Sequence, residues 1–76
     1  MGNQLKRLRG YQTIDGEDGS RYVGKIQDGK KHGKGTLIFA DGASYQGDFE
    51  HGQFHGKGYF QRGKFFYDGD FEKGMP

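Results

Sequence analysis

The chain has no cysteine among its 76 residues, so disulfides cannot staple it, and three histidines without thiols offer little for a structural metal. Branched aliphatic residues are scarce: Leu, Ile and Val together number seven. No apolar run approaches the roughly 18 residues of a membrane span, and no hydrophobic signal region follows the basic N-terminus. A soluble, cytoplasmic protein is expected. Charge of one sign is lacking as well. Of twelve Lys and Arg, three (Lys6, Arg7, Arg9) precede Gly10, leaving nine against ten Asp and Glu in residues 10–76. The basic balance therefore belongs to the N-terminal tail, and no nucleic-acid face is expected on the folded part.

What the chain does have is rings and glycines. Phe and Tyr number twelve and Gly sixteen. A domain this small buries only about 60% of its unfolded surface, and each aromatic side chain buries roughly 150–250 Å². Any core must then be aromatic, and order depends on how the rings are placed.

The placement repeats. Tyr22-Val-Gly24-Lys-Ile26-Gln-Asp-Gly29-Lys-Lys-His32-Gly33-Lys-Gly35 lies over Tyr45-Gln-Gly47-Asp-Phe49-Glu-His-Gly52-Gln-Phe-His55-Gly56-Lys-Gly58 at a shift of 23, with every glycine, the Tyr and one His in common. A third copy, Tyr67-Asp-Gly69-Asp-Phe71-Glu-Lys-Gly74, follows at a shift of 22 and is truncated. Segment 10–21 reads as a degenerate cap. The expected organisation is a basic tail over 1–9, a repeat sheet over 10–76 with the cap at 10–21, repeats at 22–44 and 45–66, and a partial repeat at 67–76. Fixed short periods of this kind mark tandem supersecondary units.

Tyr-x-Gly-x-Phe alternates with period two, placing Tyr45, Gly47 and Phe49 on one face of a strand. Thr36 to Phe39 alternates likewise, and Asp41-Gly42 after it is a hairpin turn signal. No segment carries helical apolar spacing. Each unit is therefore two short strands, and the expected fold is all-β: a single-layer antiparallel sheet of tandem hairpins, an open repeat array. Glycine between same-face aromatics leaves bare backbone for a ring to lie on. Gly52, Gly56 and Gly58 are expected where the chain reverses.

The run Tyr-x-Gly-x-Phe-x-x-Gly-x-x-His-Gly-x-Gly, with the intervening Phe-x-Asp-Gly, resembles the MORN (membrane occupation and recognition nexus) repeats over residues 20–74. The sequence departs from that pattern at Ile26, where Trp or Phe is usual, and in the short linker Gln61 to Gly63. The resemblance implies tandem MORN hairpins with an aromatic groove, serving as an interaction scaffold at cilia, axonemes, cytoskeletal structures or membranes, with no chemistry of its own.

Candidate sites follow. Tyr22, Phe39, Tyr45, Phe49, Phe60, Tyr67 and Phe71 form an aromatic strip expected to receive other proteins of a larger complex, since a contiguous exposed apolar patch usually marks an interface. The strand from Tyr67 to Phe71 offers an edge for a partner strand or for self-association. The alternative is a peripheral membrane tether on acidic phospholipid, using an acylated Gly2 with Lys6, Arg7 and Arg9, and the basic loop residues Lys25, Lys30, Lys31 and Lys34. Lys6 stands where a myristoylation signal wants Ser or Thr. Gly29 to Thr36 fails the phosphate-loop template because only three residues separate Gly29 from Gly33-Lys34. The motif histidines His32 and His55 read as turn-ordering groups, and the spacing His51-x-x-x-His55, bracketed by glycines in a loop, is not read as a metal site. No catalytic set, cofactor or metal site is expected.

Overall fold

A computed structural model of the chain describes residues 10–76. Six strands run in sequence: β1 (Tyr11–Asp15), β2 (Arg21–Gln27), β3 (Lys30–Ile38), β4 (Ser44–Glu50), β5 (Gln53–Arg62) and β6 (Phe65–Phe71). They form one antiparallel sheet in the order β1-β2-β3-β4-β5-β6, with extents of 39 × 23 × 23 Å. No helix occurs among the described residues. The all-β, single-sheet hairpin array expected from the sequence is the architecture observed.

Three reversals use the same chemistry. Asp28-Gly29, His51-Gly52 and Lys73-Gly74 carry positive φ at both residues, His51 at 51° and Gly52 at 84°, the requirement of a type I′ hairpin turn. The tips of neighbouring units are tied together: Gly52 N donates to Lys31 O at 3.0 Å, and Gly74 N to Phe54 O at 3.0 Å. Phe39–Ala43 joins β3 to β4, with Gly42 N donating to Phe39 O at 2.9 Å and Ala43 N to Asp41 Oδ1 at 2.9 Å. Gly16–Ser20 repeats that pattern ahead of β2: Gly19 N donates to Gly16 O and Ser20 N to Asp18 Oδ1. Between β5 and β6, Arg62 pairs directly with Phe65 across a two-residue turn, Gly63-Lys64. That tighter turn is why the third copy follows at 22 residues and not 23.

The expectation that Gly56 and Gly58 lie at a reversal is corrected. Both sit inside β5, as Gly33 and Gly35 sit inside β3. Gly58 belongs to a row of five glycines in register across the sheet, Gly24, Gly35, Gly47, Gly58 and Gly69, continued in β1 by Gln12. A neighbouring row holds Ile14, Tyr22, Leu37, Tyr45, Phe60 and Tyr67. Two positions apart along a strand, tyrosine and glycine share a face, so each ring folds over bare main chain. A Cβ added at Gly35 would stand 2.5 Å from Cε1 and 2.6 Å from Cζ of Tyr22, distances real carbons do not reach. The bare backbone expected to receive a ring does so: the ring on Gly35 of β3 is Tyr22 from the adjoining β2 of the same unit.

Candidate functional site

The tyrosine hydroxyls fix the rings. Tyr22 Oη donates to Lys25 O at 2.8 Å, Tyr45 Oη to Asp48 O at 2.7 Å and Tyr67 Oη to Asp70 O at 3.1 Å. Between them the phenylalanines interleave edge to face: Phe49 meets Tyr22 at 5.2 Å and Tyr45 at 5.0 Å, and Phe71 meets Tyr45 at 5.1 Å and Tyr67 at 5.2 Å. At about 0.5–1.5 kcal/mol per pair beyond area burial, these four contacts tie successive units by about 2–6 kcal/mol. Burial pushes the Tyr22 and Tyr45 phenols above their ordinary value near 10.

This burial revises the aromatic strip. Tyr22, Tyr45, Phe49 and Phe71 are 0–5% exposed and form the core, because the tyrosines lie on the glycine row and the phenylalanines cover them edge to face. They are not a docking trough. Phe39, Phe60 and Tyr67 are half-buried at its margin, with the Arg62 guanidinium over both Phe39 and Phe60 at 5.9 and 5.5 Å. Sequence reasoning passed over Phe54, which stacks on Tyr45 at 3.9 Å with an 8° interplanar angle. Its counterpart in the first unit is Lys31, whose Nζ lies 5.5 Å over Tyr22, so comparing the copies gave no common residue to notice. Both side chains do the same work, a lid on the tyrosine.

The opposite face holds a groove of about 990 Å³. Its floor is the cross-strand row Thr13, Val23, Thr36, Gln46, Tyr59 and Asp68 with the backs of the row glycines. Lys34 and Lys57 line it, and each is ion-paired across the register, Lys34 to Asp48 at 2.8 Å and Lys57 to Asp70 at 2.7 Å. Those carboxylates raise both ammonium pKa values. At the groove's β6 end stands Phe66, stacked on Tyr59 at 6.3 Å, while Phe65, its neighbour in the strand, points to the opposite face towards Phe60; each is 62% exposed. No sequence signal singles out this pair, because Phe65 and Phe66 lie in the linker ahead of Tyr67, where the copies differ in length.

A family model described as MORN repeat matches residues 22–44 and 45–64, two adjacent units that cover more than half of the chain. The chain belongs to the MORN repeat family. MORN repeats are interaction modules for proteins and membranes, and the family is non-enzymatic. A comparison with curated proteins gives no match.

The basic residues considered for lipid divide. Gly2, Lys6, Arg7 and Arg9 lie outside the described residues. Lys34 is held by Asp48 and Lys31 covers Tyr22, while Lys25 packs its stem beside Gly33 and Lys30 is exposed next to the first turn. They do not converge as a free cluster. His55 Nε2 lies 3.1 Å from Glu50 Oε1 across its hairpin, whereas His32 meets the ring of His51 from the next unit at 5.8 Å. Among the described residues no three His, Asp or Glu side chains gather closely enough to hold a metal. No described helix is long and apolar enough to cross a membrane.

Proposed function

We propose that this MORN repeat chain is a non-enzymatic adaptor that docks a segment of another protein within a larger assembly, of the ciliary, axonemal or cytoskeletal kind and on the cytoplasmic side. The observation that carries the docking is the exposed ring of Phe66 beside Tyr59 at the end of the groove, with Phe65 equally exposed on the other face of the same strand. Aromatic anchors beside a preformed concave surface are the usual energetic centre of an interface. Covering the exposed part of each ring is worth about 2–4 kcal/mol at ~25 cal/mol per Å². The groove is neither strongly apolar nor strongly charged, because its lysines are neutralised by Asp48 and Asp70, and this mixed character suits a polypeptide. The lipid alternative draws less support, since Lys31 and Lys34 are both engaged within the sheet.

The test is affinity capture from the native cell with the full chain and with its Phe65→Ser/Phe66→Ser variant, quantified by mass spectrometry. Specific partners should be lost with the variant while its circular dichroism is unchanged. Equal recovery by both refutes the anchor role.

A further inference from the structure

An aspartate followed by glycine is where the next main-chain nitrogen reaches the side-chain carboxyl with no Cβ in the way. The sequence holds five such steps, at Asp15, Asp18, Asp28, Asp41 and Asp68, and the fold holds four of them in place. Asp15 accepts from the Arg21 guanidinium at 2.7 Å, and Gly16 N donates to Ser20 O at 2.8 Å. Asp18 accepts from Ser20 N and Oγ, with Gly19 N on Gly16 O. Asp41 accepts from Ala43 N and Arg62 Nε, with Gly42 N on Phe39 O. Asp68 and Gly69 lie inside β6, paired with Tyr59 and Gly58. Asp28 is the exception. It stands exposed at the first place of the β2–β3 turn with φ at 52°, and of the five aspartates it alone has positive φ. Among the described residues its carboxylate has no hydrogen-bonding or ionic partner.

We propose that Asp28-Gly29 is a site of spontaneous main-chain rearrangement, where Asp28 converts to isoaspartate while the other four steps persist. The Gly29 nitrogen adds to Asp28 Cγ; its proton and the carboxyl hydroxyl leave as water, and a five-membered succinimide results. Water then opens the ring at the former main-chain carbonyl of Asp28, so that the chain runs through Cγ and a free α-carboxylate remains. Composition is unchanged over the two steps. Closing the ring turns the Asp28–Gly29 peptide over, which carries a type I′ turn into type II′. Both turns keep φ positive at the first central residue and both join strands through two residues, so the flanking pairs Gln27 with Lys30 and Ile26 with Lys31 need not part. At Asp15, Asp18 and Asp41 the same rotation breaks the bond from the following glycine N–H, and at Asp68 it breaks the strand ladder. The bonds from Arg21, Ser20 and Ala43 also hold the Asp15, Asp18 and Asp41 carboxyls below their ordinary pKa, which shrinks the neutral acid that must give up hydroxyl. The product lengthens the turn by one main-chain carbon, which fits neither two-residue turn. Lys31, three residues on, covers Tyr22 and accepts from Gly52 N, so conversion loosens the first tip and uncovers that ring.

The full chain is kept at neutral pH and body temperature for weeks, folded or in urea, and digested with trypsin. Cleavage after Lys and Arg places Asp28 in residues 26–30, Asp41 in 35–57, Asp68 in 65–73, and Asp15 with Asp18 in 10–21. Chromatography separates each isoaspartyl peptide from its parent at equal mass. In the folded chain the peptide 26–30 should convert at least about tenfold faster than the other three, and in urea all four should convert at comparable rates. Absence of conversion in the folded chain, or earlier conversion of another peptide, overturns the proposal. So does the same order of rates in urea as in the folded chain, which would assign the preference to neighbouring sequence and not to the turn. The docking reading is independent of each of these outcomes.

Discussion

Gly35→Ala asks the decisive question of the fold. By strand propensity alone the change should stabilise, because glycine weakens a strand interior and alanine narrows the unfolded ensemble by about 0.4–1 kcal/mol. The backbone at Gly35 has an ordinary extended φ, so no left-handed strain opposes it. Space alone decides the sign. The new methyl would meet the Tyr22 ring at 2.5–2.6 Å, and β3 cannot retreat because Gly35 is paired with Gly24 on one side and Gly47 on the other. The ring must move, giving up burial worth several kcal/mol at ~25 cal/mol per Å² together with the hydroxyl bond to Lys25 O, about 1 kcal/mol. Partial relaxation reduces the loss, and a cost of about 3 kcal/mol is expected. Against a total stability of about 4–11 kcal/mol for a chain of this length, that is a large fraction. Gly42→Ala is the control: a Cβ there meets nothing within 4 Å, but φ is +93°, so only the left-handed penalty of about 1–2 kcal/mol applies. Urea denaturation followed by far-ultraviolet circular dichroism gives both values. Gly35→Ala as stable as wild type, or less costly than Gly42→Ala, would show that the glycine row does not exist to seat rings.

Three further outcomes are expected. Tyr45→Phe keeps the ring and removes the bond to Asp48 O, leaving a part-buried carbonyl unpaired, and should cost about 1–2 kcal/mol in the same assay. Phe65→Ser/Phe66→Ser, at positions 62% exposed, should shift stability by less than about 1 kcal/mol; a larger loss would place those rings in the fold and not on the surface. Raising pH should unfold the chain from about pH 10 upward. With the Tyr22 and Tyr45 phenols raised in the folded state, the unfolded chain loses those protons first, and stability present below pH 10 falls as pH climbs towards the folded values. A stability profile flat from pH 9 to pH 12 would contradict their burial.

The alternation in Tyr-x-Gly-x-Phe and the Asp41-Gly42 turn were enough to read strands, hairpins and a single open sheet, because period two and positive φ are local properties. The direction each ring takes is not local. Tyr45 is recognisable as an inward residue of some face, but whether Phe49 and Phe71 open a trough or close over it depends on their packing between the tyrosines of successive units. The second glycine of each unit was misplaced because Gly58 looks like loop chemistry when its partner Tyr45, thirteen residues earlier, is not yet in contact. Phe54 escaped because its counterpart is a lysine: ring and ammonium are unlike in composition yet equivalent as covers for a π face. Phe65 and Phe66 lie in the linker where the copies differ in length, and comparison by shift says least there.

Since β1 to β6 follow one another across the sheet in chain order, tension between its two ends would load an outermost ribbon alone and not all six together. Such a molecule yields as a zip fastener does, one tooth after another at low force. Each hairpin can release and reseat while its neighbours hold, which gives the array the compliance of a spring and not the brittleness of a clamp.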